Sequence, residues 1–195
     1  MRRKEVRAAM QAMRGTAELR CYWHPDQQAI LHAEAIVVQL VRDIWDADAV
    51  LTHPYEHGHP DHDTAALCVA VALARLRDQG RRVPEHLEFP SYHLRAGEPV
   101  FGAFWPDPAA PETVLDLSDD DRERRERALR CFRSQRAFLS QVPNWDERLR
   151  PAPLYDFAAP APPGEALYDR WGWAITSADW RRHAAALPGS CASRS

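Results

Sequence analysis

Thr52-His53-Pro54-Tyr55-Glu56-His57-Gly58-His59-Pro60-Asp61-His62-Asp63 is the stretch on which the reading of this chain turns. Just before it, Ala49-Val50-Leu51 is a short apolar run with acidic residues on one side and Pro54 and Gly58 on the other. That is the pattern of a strand buried on both faces. Just after it, every residue from Ala65 to Ala74 is apolar before Arg75 and Arg77 appear, and Gly80 supplies a left-handed stop. The spacing predicts a central helix. Pro60 suits its first position, which puts the start at His59. His59 and His62 are three apart, so one helical turn can aim both imidazoles at one point. Asp61 and Asp63 add negative charge at the positive end of that helix, where a carboxylate can also fix an imidazole tautomer. The pattern serves metal binding or acid-base chemistry. An isolated HxxH is as easily a helix start that carries histidines, but four histidines between residues 53 and 62, beyond a buried strand, favour a site.

Outward from this centre the periodicities predict helices over 2–14 and 31–45, the second with Val37, Leu40, Val41 and Ile44 on one face. Residues 18–23 alternate as a short strand would, before Trp23-His24-Pro25-Asp26-Gln27 turns the chain. Residues 86–105 read as two strands around Arg95-Ala96-Gly97, the first pushed to an edge by Pro90. A further helix opens at Ser118, with Asp121 completing a capping box. Its arginine run to Arg136 pairs with acids as Asp120/Arg124, Asp121/Arg125, Glu123/Arg127 and Glu126/Arg130, which makes it a solvated face rather than a nucleic-acid patch. Five prolines between Pro151 and Pro163 predict an extended strap, taken as 150–176. It leads through Trp171-Gly172-Trp173, read as an anchor, to a last helix capped by Thr176 and Asp179. The order of elements predicts an α/β fold with a mostly parallel sheet, whose ligands sit beyond the carboxyl ends of its strands.

The 195 residues suit a single domain spanning 1–195. With 25 basic and 28 acidic residues, no single-sign field points to nucleic acid. No apolar run is long enough for a membrane span. Cys21, Cys68, Cys131 and Cys191 are scattered, as expected of free thiols in a cytoplasmic protein, and Cys68 inside the apolar helix should be inert.

Two known patterns overlay the histidine stretch. His57-Gly58-His59-Pro60-Asp61-His62 satisfies the HxHxDH signature of the metallo-β-lactamase superfamily. A wider set of features resembles the PIG-L or LmbE-like N-acetylglucosaminyl deacetylases. It comprises the Arg2-x-x-Glu5 helix, Pro25-Asp26-Gln27, Asp48-Ala49-Val50-Leu51-Thr52-His53, Gly58-His59-Pro60-Asp61-His62-Asp63 and Tyr92-His93. Arg150-Pro151-Ala152-Pro153-Leu154-Tyr155-Asp156-Phe157 and Trp171-Gly172-Trp173-Ala174-Ile175-Thr176 complete it.

The second resemblance covers nearly the whole chain. It implies a Rossmann-like three-layer α/β/α fold and zinc-dependent amide hydrolysis of amino-sugar conjugates. By position it makes His62 a metal ligand, His59 the group that stabilises the oxyanion or protonates the leaving amine, and Asp61 its tuner. Asp26, Tyr55 and His57 would line the substrate pocket, and His53 would be a supporting partner or a core residue. The family also carries an early His-Pro-Asp-Asp motif that supplies the other metal ligands and the base. That motif does not occur in these residues. The expectation is therefore a sheet lacking its first strand-helix-strand unit, an incomplete ligand set for zinc or another divalent metal, and self-association or a complementing N-terminal segment. A non-catalytic remnant or sugar-binding module is the competing expectation.

Overall fold

The computed structural model describes residues 2–140, 146–161 and 164–189; Cys191, Pro162 and Pro163 lie outside them. In chain order the elements are α1 (Arg2–Ala12), α2 (Ala33–Ile44), β1 (Ala49–Thr52), α3 (Pro60–Asp78), β2 (Glu85–Glu88), β3 (Tyr92–Arg95) and β4 (Glu98–Phe101). They continue with β5 (Thr113–Leu115), α4 (Asp119–Leu129), α5 (Arg136–Leu139), β6 (Glu147–Pro151), α6 (Leu167–Arg170) and α7 (Ser177–Ala186). The chain divides into two compact units, Met1–Tyr22 with Val114–Glu147 and Trp23–Thr113 with Arg148–Ser195. No helix among the described residues is long and apolar enough to cross a membrane.

In the first unit α1 packs against α4, and Glu5 accepts hydrogen bonds from the Ser134 amide and hydroxyl. Ser118 caps α4 as expected: its hydroxyl accepts from the Asp121 amide and donates to the Asp121 carboxylate. Glu123–Arg127 and Glu126–Arg130 pair one turn apart. Asp121, committed to the cap, meets Arg124 instead of Arg125, which turns to Glu147. The helix stops at Leu129, short of the expected Arg136.

The second unit holds the histidine stretch. Its α3 behaves as its composition demands: Leu67, Cys68, Ala72 and Leu76 have no exposure, and neither has Val37 of α2, which packs on it. Each fully buried leucine contributes about 2 kcal/mol. Burial also pushes the Cys68 thiol up to about 12, in keeping with an inert residue. From the far end of the sequence, Trp180 of α7 is fully buried and donates its indole N–H to the Pro60 carbonyl and the Thr64 hydroxyl. Thr64 in turn donates to the same carbonyl at 2.6 Å. The C-terminal helix thus secures the first turn of α3.

The four-stranded sheet runs β1-β2-β6-β5, with β3 and β4 forming a separate antiparallel hairpin. It is mixed, because β1 and β2 are parallel and β2 and β6 antiparallel. Three expectations need correction. First, β1 is an edge strand with Ala49 exposed and Leu51 52 % exposed, so its apolar run does not mean burial on both faces. A run of three residues cannot say how many faces are covered. Second, residues 18–23 form no strand, and Trp23 at φ 60 breaks the extended backbone. Third, Arg150 and Pro151 belong to β6, where the proline takes the last position and Ala152 continues the ladder to the His86 carbonyl. The strap is also interrupted by α6, whose Leu167 and Tyr168 are fully buried.

Candidate functional site

The site grows from the start of α3. His59 is its N-cap in extended conformation (φ −144, ψ 133), Pro60 opens the first turn, and His59 Nδ1 accepts the Asp61 amide at 3.0 Å. That bond has a chemical consequence. A neutral imidazole that accepts at Nδ1 carries its proton on Nε2, so a neutral His59 is a donor at that atom. One turn on, His62 lies against it with ring centroids 4.8 Å apart, and His53 from the end of β1 stacks on His62 at 3.8 Å. Tyr92 meets His62 edge-on at 5.4 Å, and Trp173 meets His59 likewise at 4.8 Å. The tryptophan read from sequence as an anchor therefore forms a wall of the site, a place that linear spacing could not reveal.

The electrostatics of the cluster favour neutral rings. Loss of solvation and the neighbouring His53 and His59 push His62 well below its ordinary pKa. Desolvation, with the charge of His59, brings His53 down to about 4. The Nδ1 atoms of both His53 and His62 are buried without a hydrogen-bond partner. A buried imidazole nitrogen with nothing to bond is a ligand atom waiting for a cation or a donor.

Asp61 meets His59 through its backbone amide, and its carboxylate is engaged by the loop that precedes α2. One oxygen accepts from Gln27 N at 2.7 Å and the other from Ala29 N at 3.0 Å. It thereby pins the His24-Pro25-Asp26-Gln27 turn, where Gln27 takes φ 65, and draws Asp26 to the site. Ligand atoms of Asp26, His59 and Asp61 lie within 4.8 Å of one another, a group that could hold a metal ion. Ligation by His59 Nε2 would require its proton to move to Nδ1, breaking the cap. His62 is not a member of this group, so among the described residues the ligand expected from sequence does not converge with the carboxylates.

Tyr55 and His57 are brought to a different environment. Tyr55 is 2 % exposed, stacks on Trp180 and donates to the Ala159 carbonyl. His57 adopts φ 57, its Nε2 lies 3.1 Å from the Tyr55 hydroxyl, and its carbonyl accepts from Leu167 N. Burial pushes His57 down to about 4. Both rings are packed within the protein, and His57 stands outside the convergent group. The residue that shapes this loop is Asp63, which the sequence offered only as helix-terminal charge. It is fully buried, accepting the Glu56 and His57 amides on one oxygen and the Tyr168 hydroxyl on the other. Gly58 is equally constrained, since a Cβ there would stand 1.7 Å from the Tyr92 carbonyl oxygen. His93, fully buried, bonds through Nδ1 to Glu56.

Comparison of the chain with known protein families, with curated proteins and with solved structures gave no match.

Proposed function

We propose that this chain carries half of the catalytic centre of a metal-dependent N-deacetylase acting on N-acetylated amino-sugar conjugates, within a Rossmann-like three-layer fold of which the described mixed sheet forms a part. The observation that supports the reading is the start of α3. There His59 and His62 stand 4.8 Å apart beyond the end of β1, His59 with Nδ1 engaged by its own helix and His62 with a buried, unpartnered Nδ1. The first arrangement suits a hydrogen-bond donor and the second a metal ligand. The exposed Leu51 on edge strand β1 is a surface that a further strand and layer would cover.

Amide hydrolysis needs an activated water, stabilisation of charge on the carbonyl oxygen and a proton for the departing nitrogen. A divalent cation held by His62 supplies Lewis acidity when bound. His59 Nε2–H would donate a hydrogen bond to the developing oxyanion, and the proton for the departing nitrogen would come from the base that activates the water. Asp61 keeps the Asp26 turn in place, and Asp26 offers a carboxylate to a sugar hydroxyl or to the cation. A base and further ligands would come from a segment bearing His-Pro-Asp-Asp. The HxHxDH alternative calls for two packed sheets and for His57 in the metal shell, and it draws less support from a four-stranded mixed sheet with a two-stranded hairpin and a buried His57 outside the convergent group.

The decisive experiment joins this chain to a segment restoring the early motif and measures bound zinc and acetate release from N-acetylglucosamine conjugates. Stoichiometric zinc, lost in His62→Ala, with acetate release that falls about a thousandfold in His59→Ala, is the expected outcome. Absence of both zinc and acetate would overturn the proposal. Zinc-free binding of such a conjugate by the chain alone would point to the binding-module reading.

A further inference from the structure

A cavity of about 200 Å³ lies near the carboxyl ends of β1 and β2 and has none of the site's histidines in its wall. Tyr55, Glu56, Trp105, Asp107, Arg150 and Tyr155 line it. Two of these are charged and almost wholly buried, Glu56 and Arg150, each 5 % exposed. Such groups are costly to bury, so their partners reveal what the cavity still lacks.

Arg150 directs three of its five N–H groups to the protein. Its Nε donates to Glu88 Oε2 at 3.1 Å, one terminal nitrogen to the Trp105 carbonyl and the other to the Tyr155 hydroxyl. Its guanidinium lies over the Phe104 ring at 4.2 Å, and its charge is matched by fully buried Glu88. The acceptors are in surplus. Glu88 Oε1 is buried without a partner. Glu56 receives one bond on each oxygen, from Ser91 N and His93 Nδ1, and Asp107 receives one from Ala109 N. A carboxylate offers about four acceptor sites, so each retains capacity. Once Arg150 is paired with Glu88, the lining charge left over is negative, and the remaining walls are the aromatic rings of Tyr55, Trp105 and Tyr155.

We propose that this cavity binds an organic ammonium group, with Glu56 and Asp107 receiving its N–H donors and the aromatic walls its charge. An ammonium donates without accepting, which is what a cavity short of donors selects, and a cation is attracted to aromatic faces. An anion would meet Glu56 and Asp107 with only the spare N–H groups of Arg150 in its favour. The inference does not rest on the deacetylase reading.

The test is calorimetric titration of the full chain with methylammonium chloride at pH 8, with sodium acetate as the anionic counterpart. The Trp indole N–H resonances are followed in parallel. Saturable methylammonium binding that perturbs one indole signal, absent in Trp105→Leu, is expected. Affinity should fall about tenfold in Trp105→Leu and about threefold in Asp107→Asn. Because Asp107 is partly exposed and bonds only to its own turn, the second variant keeps the test valid even where loss of Trp105 perturbs folding. Binding of acetate in preference to methylammonium, binding of neither, or binding indifferent to both substitutions would each overturn the proposal.

Discussion

His53 and His62 stack face to face, with ring centroids 3.8 Å apart and 12° between their planes. Two imidazoles this close in a desolvated place cannot both hold a proton at ordinary cost. His53, pushed down to about 4 by burial and by His59, should stay neutral through the whole physiological range. Nitrogen-15 NMR titration of the imidazoles checks this. A midpoint for His53 near 6.5 would show that the stack is not formed in solution.

The neighbouring ring makes a sharper claim. Because His59 Nδ1 accepts the Asp61 amide at 3.0 Å, the neutral ring must carry its proton on Nε2. Long-range nitrogen-proton correlations at pH 7.5 should show that tautomer. A proton on Nδ1 would remove His59 both as cap and as Nε2 donor. His59→Ala should also cost about 1 kcal/mol of stability through the lost cap.

Gly58 admits no substitute. The Cβ of an alanine would stand 1.7 Å from the Tyr92 carbonyl oxygen, and that atom belongs to backbone and cannot turn aside. Either β3 or the histidine loop must shift, at a cost of about 3 kcal/mol. Urea denaturation of Gly58→Ala should show a loss of that order, while Gly80→Ala, where nothing lies within 4 Å but φ is +66, should lose about 1 kcal/mol.

How these features stood in the sequence differs from one to the next. The start of α3, its buried face, and the caps at Ser118 and Thr176 could be read directly, since each depends on residues within one or two turns. The convergence of Asp26 on His59 could not. It depends on the Asp61 carboxylate reaching 34 residues back to the Gln27 amide, and sequence spacing holds no record of such a contact. Trp180 bonding the Pro60 carbonyl, 120 residues away, was hidden for the same reason. The edge position of β1 was obscured by its composition, because Ala49-Val50-Leu51 is equally apolar whether one face is covered or two. His57 looked like a pocket residue because it belongs to a run of histidines; its positive φ and the grip of Asp63 on its amide accompany a buried ring.

Stability should fall as pH drops from 6.5 towards 4. Burial brings His53, His57 and His86 down to about 4 and holds His62 well below its ordinary value, so as pH falls from 6.5 the unfolded chain binds protons that the native chain refuses. Two acids act in the opposite direction. Burial raises Glu88 to about 7 and Asp63 well above its ordinary value, so the native chain binds protons there first and gains stability as pH falls. His24, also lowered by burial, adds to the histidines, and the histidines are expected to outweigh the two carboxylates. Urea midpoints at pH 7, 5.5 and 4 should decline in that order, and His86→Leu should flatten the decline. A midpoint that rises on acidification would refute the balance.

Asp63 carries the last prediction, because its two functions can be separated. One oxygen accepts two successive amides, Glu56 at 3.2 Å and His57 at 3.1 Å, and the other accepts the Tyr168 hydroxyl at 3.2 Å. Asparagine keeps a carbonyl for the amides and can donate its amino group to the tyrosine oxygen, which accepts as readily as it donates. Alanine leaves both amides buried with no acceptor and costs the desolvation of each, in total about 3 kcal/mol. Asp63→Asn should therefore lose about 1 kcal/mol or less and retain the His59 and His62 resonances in place, whereas Asp63→Ala should lose far more and shift both. If the two variants were equally destabilised, the negative charge rather than the acceptor geometry would be holding the loop. Since burial raises the pKa of this carboxyl so strongly, the geometry is the term expected to win.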